Sequence, residues 1–207
     1  MSITFHHGDL PNDITFDGSV AIDTETLGLN IKRDRLCLVQ LSDHQGNCHI
    51  VQIPQFDPSQ HHRAPNLCRL LNDPHILKIF HFARFDIAML NFYLHCDCKP
   101  VYCTKIASKL ARTYTDRHGL KDLCRDVLGV EISKQQQSSD WGHENLSPEQ
   151  LNYAAHDVIY LHKLKEQLDD LLKRENRYHL VKACFDFLPT RAALDIAGWA
   201  ELDIFAH

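Results

Sequence analysis

The chain has 207 residues, 44% of them apolar and 24% charged, which suits a globular protein with one sizeable core. Its formal net charge of −5 argues against a protein that grips long nucleic acid through a broad basic face. No apolar run of about 18 residues is present, so no membrane span is expected, and Met1-Ser2-Ile3-Thr4-Phe5-His6-His7 lacks the charged and apolar regions of a signal peptide, which gives a cytoplasmic reading.

The first half of the chain reads as strands. Val20 to Ile22, Leu36 to Leu41 and His49 to Ile53 are β-branched or alternating runs. Turn residues such as Asp34, Gly46 and Asn47 separate them, and Asp43-His44-Gln45-Gly46-Asn47 has the composition of a hairpin loop. Together they predict an antiparallel meander. Asn66 to Leu71 follows as a helix and Ile76 to Phe80 as an apolar strand. Ala83 to Leu94 carries Phe85, Ala88, Met89, Phe92 and Tyr93 at helical spacing. Thr104 is placed as the N-cap of a helix reaching Arg112. Leu120 to Leu128 is a helix stopped by Gly129. Ser147-Pro148-Glu149-Gln150 is a start signal, with Ser as cap, Pro at the first position and Gln three residues on. The helix it opens is expected to run through Asp157 to Arg174, and a last helical region, broken at Pro189, to occupy the end. Strands first and helices later predict an α/β layered domain with a central mixed sheet.

Eight cysteines in a cytosolic setting read as free thiols. Cys96, Cys98 and Cys103, with His95 beside them, form the one cluster. No second ligand pair stands at finger-like spacing, so they read as ordinary buried or loop cysteines, with a structural zinc as the alternative.

Three short stretches place carboxylates where folding alone does not ask for them. Asp23-Thr24-Glu25 ends the apolar run Ser19-Val20-Ala21-Ile22, and residues two apart on a strand face one side. Asp86 follows Phe85 at the start of an amphipathic helix, where an aspartate complements the helix dipole as readily as it binds a ligand. Tyr153 and Asp157 are four apart on one helix face. Hard divalent cations prefer oxygen ligands, and four such carboxylates suit a two-metal site that cuts a phosphodiester.

The order of these motifs resembles the DEDD family of 3′–5′ exonucleases in its tyrosine-bearing branch. Ala21-Ile22-Asp23-Thr24-Glu25-Thr26 matches the first motif, His81-Phe82-Ala83-Arg84-Phe85-Asp86 the second and Tyr153-Ala154-Ala155-His156-Asp157 the third. Gln137-Ser138-Ser139-Asp140-Trp141 and Leu146-Ser147-Pro148-Glu149-Gln150-Leu151 resemble the ribonuclease D group. His81 stands where many members have Asn, and the 50 residues after Asp157 leave no room for the HRDC domains of ribonuclease D. The pattern, with Thr26-Leu27-Gly28-Leu29, closely resembles the short NrnC (nanoRNase C) group of α-proteobacteria.

The resemblance implies an RNase H-like fold in a single exonuclease domain over residues 1–207. It implies two Mg²⁺ or Mn²⁺ ions held by Asp23, Glu25, Asp86 and Asp157, and Tyr153 orienting the attacking water or helping to deprotonate it, with orientation as its main role. Dinucleotides or very short RNA would be cut to nucleoside 5′-monophosphates by a homo-oligomer, an octameric ring in that group. A broader exonuclease on longer RNA or DNA, or an inactive binding module, are the competing readings. Further candidate contacts are Thr24 within the first motif and Leu29, which wedges between bases in dinucleotide-cleaving relatives, with a core leucine after a turn as its alternative. His81 reads as a substrate contact or a buried helix-entry residue. Gln137, Ser139 and Trp141 are placed at the nucleotide pocket, with packing against the last helices as Trp141's alternative. Ser108, Lys109 and Arg112 are candidates for the 5′ phosphate, or else a solvated basic face.

Overall fold

The computed structural model describes residues 2–55, 64–133, 136 and 139–207. Six strands form one sheet in the order β1-β4-β3-β2-β5-β6: β1 Ile3–His7, β2 Ser19–Thr26, β3 Leu36–Ser42, β4 Cys48–Gln52, β5 Leu77–Phe80 and β6 Val101–Cys103. β2, β3 and β4 are the antiparallel meander the sequence predicts. β1, β5 and β6 join it in parallel and make the sheet mixed. β1 and β6 have no counterpart in the sequence reading. β5 is not the apolar strand expected: Lys78 lies in it, fully buried, its Nζ donating to the carbonyls of Asp73 and Lys99.

Among the described residues, seven α-helices flank the sheet: α1 Pro65–Asn72, α2 Ala83–Leu94, α3 Thr104–Ala111, α4 Leu120–Leu123, α5 Pro148–His156, α6 Leu161–Arg174 and α7 Tyr178–Leu194. α2 packs on β2, β3, β5 and β6, and α5 on β1, β3 and β4. α4 widens into a π-helical turn over Cys124–Leu128, and Gly129 ends it at φ 68. Ser147 makes the expected capping box with Gln150.

Three expectations need correction. Thr104 is the first helical residue of α3 and caps nothing; its hydroxyl bonds the Phe80 carbonyl and His81 Nδ1 instead. α5 does not run on to Arg174: it stops at His156, Asp157 is its C-cap, and residues 157–160 turn before α6 begins. α7 passes through Pro189 unbroken.

β2 is flanked by β3 and β5, which buries Ser19–Ile22 completely or nearly so. Its pairing with β5 stops at Ala21↔Ile79, whereas its pairing with β3 runs on to Thr26. The second half of β2 therefore has a partner on one side only, and the sheet opens there. At the other end of β2 the Ser19 hydroxyl lies 3.0 Å from His44 Nε2 and 3.1 Å from His162 Nε2.

His162 is buried, which pushes its pKa down to about 4; neighbouring His44 and Lys165 lower it further, and Asp43 and the Ser19 backbone oppose them. The unfolded chain takes up this proton near the ordinary value of 6.5, the folded chain only near 4. The stability held above pH 6.5 is accordingly lost as the pH falls toward 4, by at most about 1.4 kcal/mol per pH unit. Denaturant titrations across that window should show a shallower acid loss for His162→Gln than for the wild type.

Candidate active site

Asp23 and Glu25 alternate with Thr24 along the open half of β2, and Asp157 reaches them from the end of α5. One carboxylate oxygen from each of the three lies within 4.8 Å of the others. Asp86, in the first turn of α2, stands outside this tight trio. It is buried, and the Thr24 hydroxyl donates to its Oδ1 at 2.6 Å. Thr24, placed by the sequence among substrate contacts, is thus a buried anchor for Asp86. Tyr153 lies one helical turn before Asp157, and its hydroxyl donates to that carboxylate. The buried Trp141 ring packs 5.9 Å from the Tyr153 ring, so its packing partner is α5.

The carboxyls crowd one another in a poorly hydrated place. Burial first, then the charges of Asp86, Asp157 and Glu25, push Asp23 well above the usual carboxylate range. Burial followed by Asp157 and Asp86 does the same to Glu25. Burial raises Asp86 to about 7 despite the Thr24 hydrogen bonds, and Asp157 to about 7 despite Tyr153. Among the described residues no lysine, arginine or histidine makes an ion pair with any of the four. Acidic oxygens brought together without a basic partner fit divalent cations, whose charge removes the repulsion.

Asp23, Glu25, Tyr153 and Asp157 line a cleft of about 320 Å³ together with His81, Phe82, Lys105, Lys121, Ile132 and Ser133, among others. His81 sits in its wall, its Nδ1 2.9 Å from the Thr104 hydroxyl; burial and then Lys105 push its pKa down to about 3. It is neutral at any ordinary pH. Phe82 adopts a left-handed conformation at φ 68 just before α2, a strained state for an aromatic residue and one that clusters at functional sites. The Lys105 Nζ lies 4.2 Å from the centre of its ring. Phe82, Lys105, Lys121 and Ile132 were not singled out by the sequence, where nothing marks which lysine will face the carboxylates.

Leu29 is 85% exposed on the loop after β2, so the reading as a core leucine falls. Asp34 holds that loop by accepting from the Asn30 backbone at 2.9 Å. It passes so close to Gly28 that a Cβ there would meet its Oδ2 at 2.4 Å. Ser108 and Arg112 are not brought to the cleft. Both are buried: Ser108 bonds His118, and Arg112 pairs with Asp126 at 2.8 Å and donates to the Arg117 carbonyl. They hold the α3–α4 connection together. Lys109 lines a separate, apolar cavity bounded by α3 and α7. The Ser139 hydroxyl donates to the Gln136 side chain, and Gln137 lies outside the described residues. Cys96, Cys98 and Cys103 are free and buried.

This fold and this acidic constellation belong to a class of nucleases. The chain belongs to the 3′–5′ exonuclease family, whose model matches residues 9–173. It is similar to ribonuclease D of Granulibacter bethesdensis, at 33% identity over 158 residues that make up 76% of this chain and 38% of that protein. The chain thus matches well under half the length of that curated relative. The likeness to NrnC of Brucella melitensis extends end to end. Its structure with bound Mg²⁺ is 56% identical, covers 100% of both chains and superposes with a TM-score of 0.93. Its structure bound to pGG is also 56% identical, covers 100% of this chain and 99% of that one, and gives a TM-score of 0.94. The mixed sheet flanked by helices is the RNase H-like exonuclease fold that the sequence predicted.

Proposed function

We propose that this chain is a divalent-metal-dependent 3′–5′ exoribonuclease that hydrolyses dinucleotides and very short RNA to nucleoside 5′-monophosphates. The observation that carries the reading is the convergence of Asp23, Glu25 and Asp157 within 4.8 Å in an open cleft. In it, Asp23, Glu25, Asp86 and Asp157 hold two ions, Mg²⁺ or Mn²⁺. Such ions would supply Lewis-acid activation of water and neutralisation of the departing 3′ oxygen.

The protein's own groups do the positioning. Asp157 accepts from Tyr153 and so fixes the phenol over the cleft. Burial, then the charges of Asp157, Glu25 and Asp23, push the Tyr153 pKa far above its ordinary 10. With its one proton donated to Asp157, the Tyr153 oxygen orients the attacking water by accepting a hydrogen bond from it. Tyr153→Phe should therefore lower kcat by about 10²-fold, the lower end of what positioned proton-handling groups contribute. The shape of the pH–rate profile should stay the same; loss of the rising limb, along which a base gives up its proton, would assign Tyr153 as the base.

Lys105 and Lys121 supply positive charge to substrate phosphates from the wall facing the carboxylates. The exposed Leu29 supports a wedge between two bases, and pGG on the Brucella relative supports a two-residue substrate. The ribonuclease D relatives favour a second reading, trimming of longer RNA or DNA. Residues 1–207 would act as one catalytic unit, and the exposed Trp199, Leu202 and Phe205 near the C-terminal end support self-association of such units. Rates on 5′-labelled RNAs of increasing length, from the dinucleotide upward, test the proposal. A steep fall beyond the shortest chains is expected; equal rates across lengths would overturn the dinucleotide preference in favour of the broader enzyme.

A further inference from the structure

β3 reads Leu36-Cys37-Leu38-Val39-Gln40-Leu41-Ser42, a buried strand in which Gln40 is the one large polar side chain. Gln40 is fully buried, and among the described residues neither its amide nitrogen nor its amide oxygen has a hydrogen-bond partner. Every donor and acceptor left this way disfavours folding, and a leucine or methionine of similar size would fit the same strand without that cost. The register shows what the glutamine is next to. Gln40 lies directly opposite Asp23 across the β2–β3 pairing, and directly opposed residues of antiparallel strands project from the same face of a sheet. Its neighbour on the other side is Ile50 of β4, which offers no polar group. α5, which carries Tyr153 and ends at Asp157, packs across β3 on its way over the sheet.

We infer that Gln40 is a positioning residue for the metal-binding carboxylates. Its amide holds Asp23 in the orientation that receives a cation, through hydrogen bonds made when the site is loaded. The inference rests on the metal-dependent reading given above. A carboxylate that binds a cation through one oxygen keeps acceptor capacity on the other, and a neighbouring amide N–H is suited to it. The amide is neutral, so it orients Asp23 without competing for it as a buried lysine would.

The test is a pair of size-matched apolar variants, Gln40→Leu and Gln40→Met, measured without substrate. Mn²⁺ binding is followed by calorimetry and the metal-free unfolding temperature by circular dichroism. Both variants are expected to unfold at a higher temperature than the wild type, because the unpartnered amide is gone, yet to bind Mn²⁺ at least about tenfold more weakly. A purely structural glutamine would not move these two readouts in opposite directions. Unchanged Mn²⁺ affinity in both variants would overturn the inference while leaving the metal site standing. Asp23→Asn in parallel separates the two levels: if it binds Mn²⁺ as the wild type does, the metal reading itself is wrong, and the role of Gln40 falls with it.

Discussion

Asp23→Asn is expected to reduce exonuclease turnover by at least about 10³-fold, as removal of one member of a catalytic unit does, and to make the metal-free protein harder to unfold. The two effects have one cause. Asp23 sits among Glu25, Asp86 and Asp157, all four with pKa values raised by burial, and Asp23, Glu25 and Asp86 raised further by neighbouring carboxylates. Without cations the folded state carries that repulsion and the unfolded chain does not. An isosteric amide removes one charge and leaves the shape of the strand unchanged. For a domain of this size each kcal/mol recovered shifts the unfolding temperature by roughly 2–4 °C. Loss of activity with a lowered unfolding temperature would mean that Asp23 is a structural residue. Retained activity would mean that the metals, if any, lie elsewhere.

The second large effect is that of the cations. Chelation should abolish hydrolysis, and readdition of Mg²⁺ or Mn²⁺ should restore it. The same ions should stabilise the fold, because they bind the assembled cluster and find no such cluster in the unfolded chain. Linkage gives about 2.7 kcal/mol at a free ion concentration one hundred times the dissociation constant. Asp23→Asn and Asp157→Asn should blunt this shift. A thermal scan in chelator, Mg²⁺ and Mn²⁺ measures it; equal shifts in wild type and both variants would place the ion binding outside the cleft.

What could be read from the sequence follows from where the determining forces act. The β2–β3–β4 meander is local, with apolar runs and turn residues side by side, and α2 matches its expected bounds because one face of Ala83–Leu94 is apolar at helical spacing. β6 is three residues long and β1 is an edge strand with alternating exposure, so both owe their conformation to pairing with distant strands. The turn at 157–160 has no local signal, because Asp157-Val158-Ile159-Tyr160 carries no Gly or Pro to mark it. That turn matters to the site: it makes Asp157 the end of α5 rather than a point within a long helix.

The carboxylates could be found from spacing, since alternation on a strand and the i, i+4 pairing on a helix are local rules. Their neighbours could not. Ser108 and Arg112 share a helix face, but that face turns inward to Asp126 and His118. Lys105 at the start of α3 and Lys121 at the start of α4 both line the cleft although they are distant in sequence, which no local pattern encodes. Gln40 stood within a strand correctly assigned, and only its register opposite Asp23 and its unpartnered amide distinguish it.

The most direct measurement of the central claim replaces one non-bridging oxygen of the scissile phosphate by sulfur. A 5′-phosphorylated dinucleotide carrying that phosphorothioate is offered to the wild-type protein with Mg²⁺, with Mn²⁺ and with Cd²⁺. A hard ion held by Asp23, Glu25 and Asp157 binds sulfur poorly, and a softer one tolerates it. One stereoisomer should be cut far more slowly than its oxygen parent in Mg²⁺ and recover in Mn²⁺ or Cd²⁺. Equal rates for both stereoisomers and the parent in Mg²⁺ would contradict metal-bound phosphate chemistry at this cleft.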